Sequence, residues 1–227
     1  MAENKQPATM QILEKRRELL KTSVRAAGAL GITWLALDTA ADSAAGAQPQ
    51  ALRPPGALDQ SSFLSACVRC GLCVRACPYD ILSLATLDGP AELGTPYFVA
   101  REDPCRMCKD IPCAKACPTG ALDSGMTEIK EADMGVAVLV GHETCLNYKG
   151  LNCSICFRVC PIRGEAITLE PHTIDGKQRI IPTVHSDTCT GCGTCEKHCV
   201  IKEAAIRVLP RPLGLGEEGR NPSGRTG

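Results

Sequence analysis

Apolar residues come in short runs, and four of these recur at a nearly fixed interval. They are Ile81-Leu82-Ser83-Leu84, Ala121-Leu122, Ala166-Ile167-Thr168-Leu169 and Ala205-Ile206-Arg207-Val208. Each follows a group of four cysteines, so the chain reads as a fourfold internal repeat. In every repeat the pattern predicts a cysteine-rich loop, a short helical turn carrying the last cysteine, and then a strand. The two ends differ. A moderately apolar run over residues 26–37, broken by Gly28 and Gly31, is too short for an ordinary membrane span. Residues 211–227 are rich in Gly, Pro and Arg with almost nothing to bury, which predicts a flexible tail.

Composition sharpens this picture. The chain has 227 residues, enough for one domain or two small ones, yet only 3% are aromatic. Aromatic side chains bury the largest apolar areas, so the core must be completed by something else. Bound metal is the natural substitute, because metal-binding free energy becomes folding free energy. Lys+Arg and Asp+Glu balance at 25 each, which gives no reason to expect nucleic acid as a partner.

All sixteen cysteines fall into four quartets, and none is left over. They are Cys67, Cys70, Cys73, Cys77; Cys105, Cys108, Cys113, Cys117; Cys145, Cys153, Cys156, Cys160; and Cys189, Cys192, Cys195, Cys199. The first and fourth have the spacing C-x2-C-x2-C-x3-C that holds cubane [4Fe–4S] clusters. Three thiolates two residues apart on a curled loop converge on one cube, while the fourth points away to a neighbouring one. Pro78, Pro118 and Pro161 follow the fourth cysteine of their quartets and direct the chain out of the loop. Zinc sites pair separated C-x2-C knuckles instead, and no ordinary disulfide framework repeats such compact quartets. The expectation is four [4Fe–4S] clusters on a small, irregular α+β fold built as tandem bacterial-ferredoxin-like units of two clusters each.

The second quartet has four residues between Cys108 and Cys113, and the third has seven between Cys145 and Cys153. Both keep all four ligands. Pairing like with like favours a nested arrangement. Cys67, Cys70 and Cys73 would then take Cys199, and Cys189, Cys192 and Cys195 would take Cys77. Cys105, Cys108 and Cys113 would take Cys160, and Cys145, Cys153 and Cys156 would take Cys117. Sequential pairing, first with second and third with fourth, satisfies the shared-ligand rule equally. Cys199 is followed by Val200 instead of proline, leaving an N–H free to hydrogen-bond a cluster sulfur.

Residues 1–47 read as an address rather than as part of the fold. Lys15-Arg16-Arg17-Glu18-Leu19-Leu20-Lys21 carries an arginine pair, an apolar run follows, and Ala45-Gly46-Ala47 fits a small-residue cleavage site. Together these read as a twin-arginine export signal, though Lys15 and Leu19 depart from its usual pattern. The route suits a protein whose clusters are built in the cytoplasm and which must cross the membrane folded. The periplasm is the expected location, and a leader left uncleaved would tether the chain to the membrane. Residues 48–210 form the four-cluster region.

Beyond its cysteines, the chain carries Arg53-Pro54-Pro55-Gly56-Ala57, Gly94-Thr95-Pro96-Tyr97-Phe98-Val99-Ala100-Arg101 and Pro182-Thr183-Val184-His185-Ser186-Asp187. With these strings it resembles the NapG/MauM group of ferredoxin-type proteins, most of all its periplasmic nitrate-reductase branch. The resemblance implies electron transfer from quinol, through an integral-membrane iron–sulfur partner, toward periplasmic nitrate reductase or its cytochrome c. Two other roles stay open: an electron-transfer subunit of a molybdenum oxidoreductase complex, and an accessory role in methylamine oxidation. No phosphate loop, dinucleotide fingerprint or nucleophile elbow appears, so an electron carrier is expected rather than an enzyme. His198 beside a ligand, and the pairs Lys109-Asp110 and Glu196-Lys197, read as solvated positions.

Overall fold

The computed structural model describes residues 51–215. The expected leader over residues 1–47 and residues 216–227 of the expected tail lie outside the described residues. Among the described residues, no helix is long and apolar enough to cross a membrane.

Helix α1 (Gln60–Ala66) opens the fold. The Asp59 carboxylate caps it, accepting from the Ser62 N–H at 3.2 Å and the Ser61 hydroxyl at 2.7 Å. Those hydrogen bonds hold the Asp59 carboxyl down at about 2. The helix buries Phe63 completely and hands the chain to Cys67 in extended conformation. Four very short helices then recur, one per quartet: α2 (Leu72–Ala76), α3 (Pro112–Lys115), α4 (Ile155–Val159) and α5 (Thr194–Lys197). Each starts directly after a residue with left-handed backbone, namely Gly71, Ile111, Ser154 and Gly193. The helical turn carries the third cysteine of its quartet, not the last as expected. Cys73, Cys113, Cys156 and Cys195 lie within helices, and the fourth cysteine sits at or just beyond the helix end. The reversal of backbone hand is the physical reason: the helix can begin only after the loop has curled, which places its first turn at the third cysteine.

Three antiparallel two-stranded sheets frame these helices. β1 (Ser83–Leu84) pairs with β2 (Pro96–Tyr97), β3 (Val136–Leu139) with β6 (Ile206–Leu209), and β4 (Ile167–Ile174) with β5 (Lys177–Val184). The β4–β5 hairpin turns at Asp175-Gly176, both with positive φ, as a two-residue hairpin loop requires. An isolated bridge joins Ala57 to Leu122. The same closure thus occurs twice. The segment before the first quartet pairs with the segment after the second, and β3 before the third quartet pairs with β6 after the fourth. The structure is therefore two tandem modules, each holding two consecutive quartets.

The core is built from small and branched residues together with cysteine. Phe63, Ile111, Leu122, Val136, Ile167 and Ile206 are fully buried, with Ala114, Ala121, Ala166 and Ala205 between them. Arg53 is buried as well. Its guanidinium donates to the Thr95 hydroxyl at 2.8 Å and the Pro96 carbonyl at 3.0 Å, pairs with Glu92, and lies 4.8 Å over the Phe63 ring. At the other end the fold continues past the expected boundary at residue 210. Arg211–Gly214 form a short helix, α6. Arg211 pairs with Asp133 at 2.6 Å and donates to the carbonyls of Ser186 and Cys189 at 2.7 and 3.0 Å. A side chain with three anchors is not part of a flexible tail.

Candidate metal centres

Each quartet curls its loop through left-handed residues. Arg69 and Gly71 do so in the first quartet, Met107 and Ile111 in the second, and Gly191 and Gly193 in the fourth. Such alternation turns successive N–H groups toward one concavity, a nest suited to negative charge. Ile111 is β-branched and stands at φ 44°, a conformation that branched side chains rarely adopt. The third quartet has Ser154 and, in its inserted loop, Gly150 in this conformation, and it adds a side chain. Asn147, buried in the inserted loop, accepts from the N–H groups of Cys153 and Ser154 at 3.3 and 3.1 Å. Its amide donates to the Ile180 carbonyl at 2.7 Å, so the insertion is stapled to β5.

Four cavities result, each walled by four cysteines. Site I gathers Cys67, Cys70, Cys73 and Cys117 around about 340 Å³. Site II gathers Cys105, Cys108, Cys113 and Cys77 around about 390 Å³. Site III gathers Cys189, Cys192, Cys195 and Cys160, and site IV gathers Cys145, Cys153, Cys156 and Cys199, each around about 330 Å³. Every site takes three cysteines from one quartet and the last from its partner quartet. The partners are not the nested ones. Cys117 faces the first quartet, Cys77 the second, Cys160 the fourth and Cys199 the third. Similar loop spacing does not decide pairing; the antiparallel closure of each module does.

The chemistry of the sites fits iron–sulfur cubanes. All sixteen cysteines are free of disulfides. Among the described residues, no three potential ligands converge closely enough to hold a single metal ion. Thiolates on one zinc would stand about 2.3 Å from it, whereas these line the wall of a larger cavity. Burial pushes the thiols of Cys73, Cys113, Cys156 and Cys160 up to about 11, that of Cys105 up to about 12, and that of Cys195 well above the ordinary thiol value. Main-chain N–H groups of Val74, Met107, Ala114 and Phe157 oppose burial at Cys73, Cys105, Cys113 and Cys156, and neighbouring thiolates add to it. At Cys117 burial also works upward. There the N–H groups of Leu122, whose nitrogen lies 3.4 Å from the sulfur, and of Thr119 prevail and lower the pKa. These sites are arranged for negative sulfur, provided that a polycation neutralises the buried charge.

Two stretches, residues 66–121 and 150–202, match the family model of the 4Fe-4S dicluster domain. One falls in each module, the second leaving out β3 and Cys145. The chain is 69% identical to the methylamine utilization ferredoxin-type protein MauM of Methylorubrum extorquens, over 92% of this chain and 96% of the relative. MauM of Paracoccus denitrificans is 63% identical over 92% and 94%. Ferredoxin-type protein NapG of Escherichia coli is 56% identical over 91% and 90%. The chain belongs to the NapG/MauM family of ferredoxin-type proteins. It is a 4Fe-4S electron-transfer protein on an irregular α+β fold.

The remaining sequence candidates divide. His198 is exposed, its ring bonded only to the Thr194 carbonyl of its own helix at 2.9 Å, and Lys109 and Asp110 are exposed. Glu196 is not simply solvated. Its carboxylate accepts the Val208 N–H at 2.6 Å and ties α5 to β6, and burial raises its pKa. Val200 lines site IV while remaining 62% exposed.

Proposed function

We propose that this chain carries four [4Fe–4S] clusters, one in each cysteine-lined site, and serves as a periplasmic electron carrier in methylamine utilisation. The four-cysteine lining of every cavity carries the cluster count. The higher identity to the MauM relatives, 61–70% against 53–56% for NapG, supports the metabolic placement. All sixteen cysteines act as ligands in this reading. The twin-arginine leader delivers the folded, loaded chain to the periplasm. There it takes electrons from, or gives them to, an integral-membrane iron–sulfur partner that works with quinol.

The NapG relatives favour a second reading, in which the electrons pass toward periplasmic nitrate reductase or its cytochrome c. Deleting the gene in its own host separates the two. The first reading expects loss of growth on methylamine with nitrate respiration intact, restored by the wild-type gene. Loss of quinol-dependent nitrate reduction with normal methylamine growth would move the chain to the second. Iron analysis of anaerobically purified protein tests the cofactor count directly, with about sixteen irons per chain expected from four cubanes.

A further inference from the structure

Sites I and II interlock by exchanging Cys117 and Cys77, and sites III and IV by exchanging Cys199 and Cys160. How the two modules meet is a separate matter, and the contact is specific. The N–H of Cys105, in site II, donates to the carbonyl of Cys192, in site III, at 2.8 Å. Beside it the Thr190 hydroxyl donates to the Met107 sulfur at 3.5 Å, and the Met134 N–H donates to the Thr190 carbonyl at 3.0 Å. At Gly193 the loop of site III lies too close to the first module for a side chain. A Cβ on Gly193 would stand 2.6 Å from the Ala100 Cβ of the first module, while one on Gly191 would stand 2.5 Å from the Gly135 carbonyl oxygen at the start of β3 in its own module.

Arg101 clamps the joint. From the segment between β2 and Cys105, its guanidinium reaches the C-terminal end of α5 and the turn beyond. It donates to the Glu196 carbonyl, and to those of Lys197, Cys199, Ile201 and Lys202 at 3.2, 3.0, 2.9 and 3.2 Å. All four sites are walled from within one module, but only sites II and III send a cysteine, Cys105 and Cys192, to the joint. Residues 63–122 alone line site I, and residues 139–206 alone line site IV.

We infer that the four sites form one unbranched electron path in the order I, II, III, IV, bridged between the modules by the Cys105–Cys192 contact and ending at sites I and IV. This rests on the reading of the chain as a four-cluster carrier. Each transfer along the path oxidises one site and reduces the next by one electron, with no bond made and no proton moved. An external one-electron redox protein reduces one end, and a second one oxidises the other.

The test is magnetic. In anaerobically prepared, fully reduced holoprotein, electron paramagnetic resonance should show spin coupling between neighbouring sites only. Cys70→Ser, which alters site I, should change the splitting or relaxation of the site II signal and leave sites III and IV as they were. Cys153→Ser, at site IV, should change site III and leave sites I and II unaltered. A change at site I on altering site IV, or uncoupled sites II and III, would overturn the order. Hydrogen exchange on the wild-type holoprotein gives a readout that needs no variant. Peptides over residues 100–107 and 190–193 should be protected together, and rapid exchange of the Cys105 amide would equally overturn the bridge. Fewer than about sixteen irons per chain would defeat the four-cluster reading. The full iron content with another coupling pattern would defeat only the order.

Discussion

Gly193→Ala should weaken the protein well beyond Gly164→Ala, although both replace a glycine with strongly positive φ, +90° and +83°. The left-handed backbone costs an alanine about 1–2 kcal/mol at either place. There the likeness ends. A Cβ at Gly164 meets nothing within 4 Å, whereas at Gly193 it falls 2.6 Å from the Ala100 Cβ and 2.9 Å from the Ala100 Cα. Neither atom is the end of a flexible side chain, so relief requires the modules to part. Forced overpacking of this kind adds about 1–3 kcal/mol. Gly164→Ala should therefore cost about 1–2 kcal/mol and Gly193→Ala about 2–5 kcal/mol. At about 2–4 °C per kcal/mol for a fold of this size, the second variant should melt about 2–12 °C below the first. Anaerobic thermal scans at one fixed rate, following visible absorption and far-ultraviolet circular dichroism together, make the comparison. The fixed rate matters because cluster loss makes unfolding irreversible. Equal melting of the two variants would show that residue 193 does not press on Ala100, and the close joint between the modules would fall with it.

Pairing of the quartets has a direct test: Cys117→Ser should perturb the same paramagnetic signal as Cys67→Ser, whereas nested pairing requires it to match Cys145→Ser. Glu92→Gln should cost about 2–3 kcal/mol by urea denaturation at pH 7. That is less than the ~3–5 kcal/mol for breaking a fully buried pair, because the Glu92 side chain is 35% exposed while that of Arg53 is only 7% exposed. At Glu92 burial works upward, but its own N–H, the Arg53 charge and the Arg53 and Gln60 hydrogen bonds bring its pKa down. Its contribution is therefore complete above the ordinary carboxylate value of 4.5 and is lost as pH falls through the lowered one, so wild type and variant should converge once the pH is below that lowered value. A difference that grows on acidification would refute the pairing. Asn147→Leu removes the acceptor for two main-chain N–H groups and one donor to β5, at about 2–3 kcal/mol. On slow heating, the site IV signal should disappear before the other three; simultaneous loss of all four would count against the staple.

Which three cysteines wall each site was legible because cluster-binding spacing is local: three thiols on one curled loop need no knowledge of the rest of the chain. Which loop supplies the fourth thiol was not legible, for a definite reason. The linkers between quartets are 27, 27 and 28 residues long, so loop-closure entropy hardly distinguishes one pairing from another. The decision lies in the Ala57–Leu122 bridge and the β3–β6 ladder, whose strands are too short to announce their partners. Arg53 and Arg101 stood in strings that marked the family, yet nothing local distinguishes a buried arginine from an exposed one. Asn147 left a fainter signal: an asparagine inside an insertion, where a side chain able to accept from the main chain adds to the curl that left-handed residues give every quartet.

The scarcity of aromatics and the burial of thiols are two sides of one design. A core of alanine, isoleucine, leucine and cysteine leaves four cysteine-walled hollows, partly open to solvent, that no side chain fills. Loading must displace protons from thiols that burial holds near 11 or above, so the fold itself opposes a charged, unloaded site. Once metal has taken those protons' place, the same burial excludes water, and the curled main chain supplies N–H groups to the sulfur without needing a charged side chain at each ligand. An electron added to such a site meets a surrounding already arranged for negative charge. Little has to move, and that is what a carrier requires of its protein.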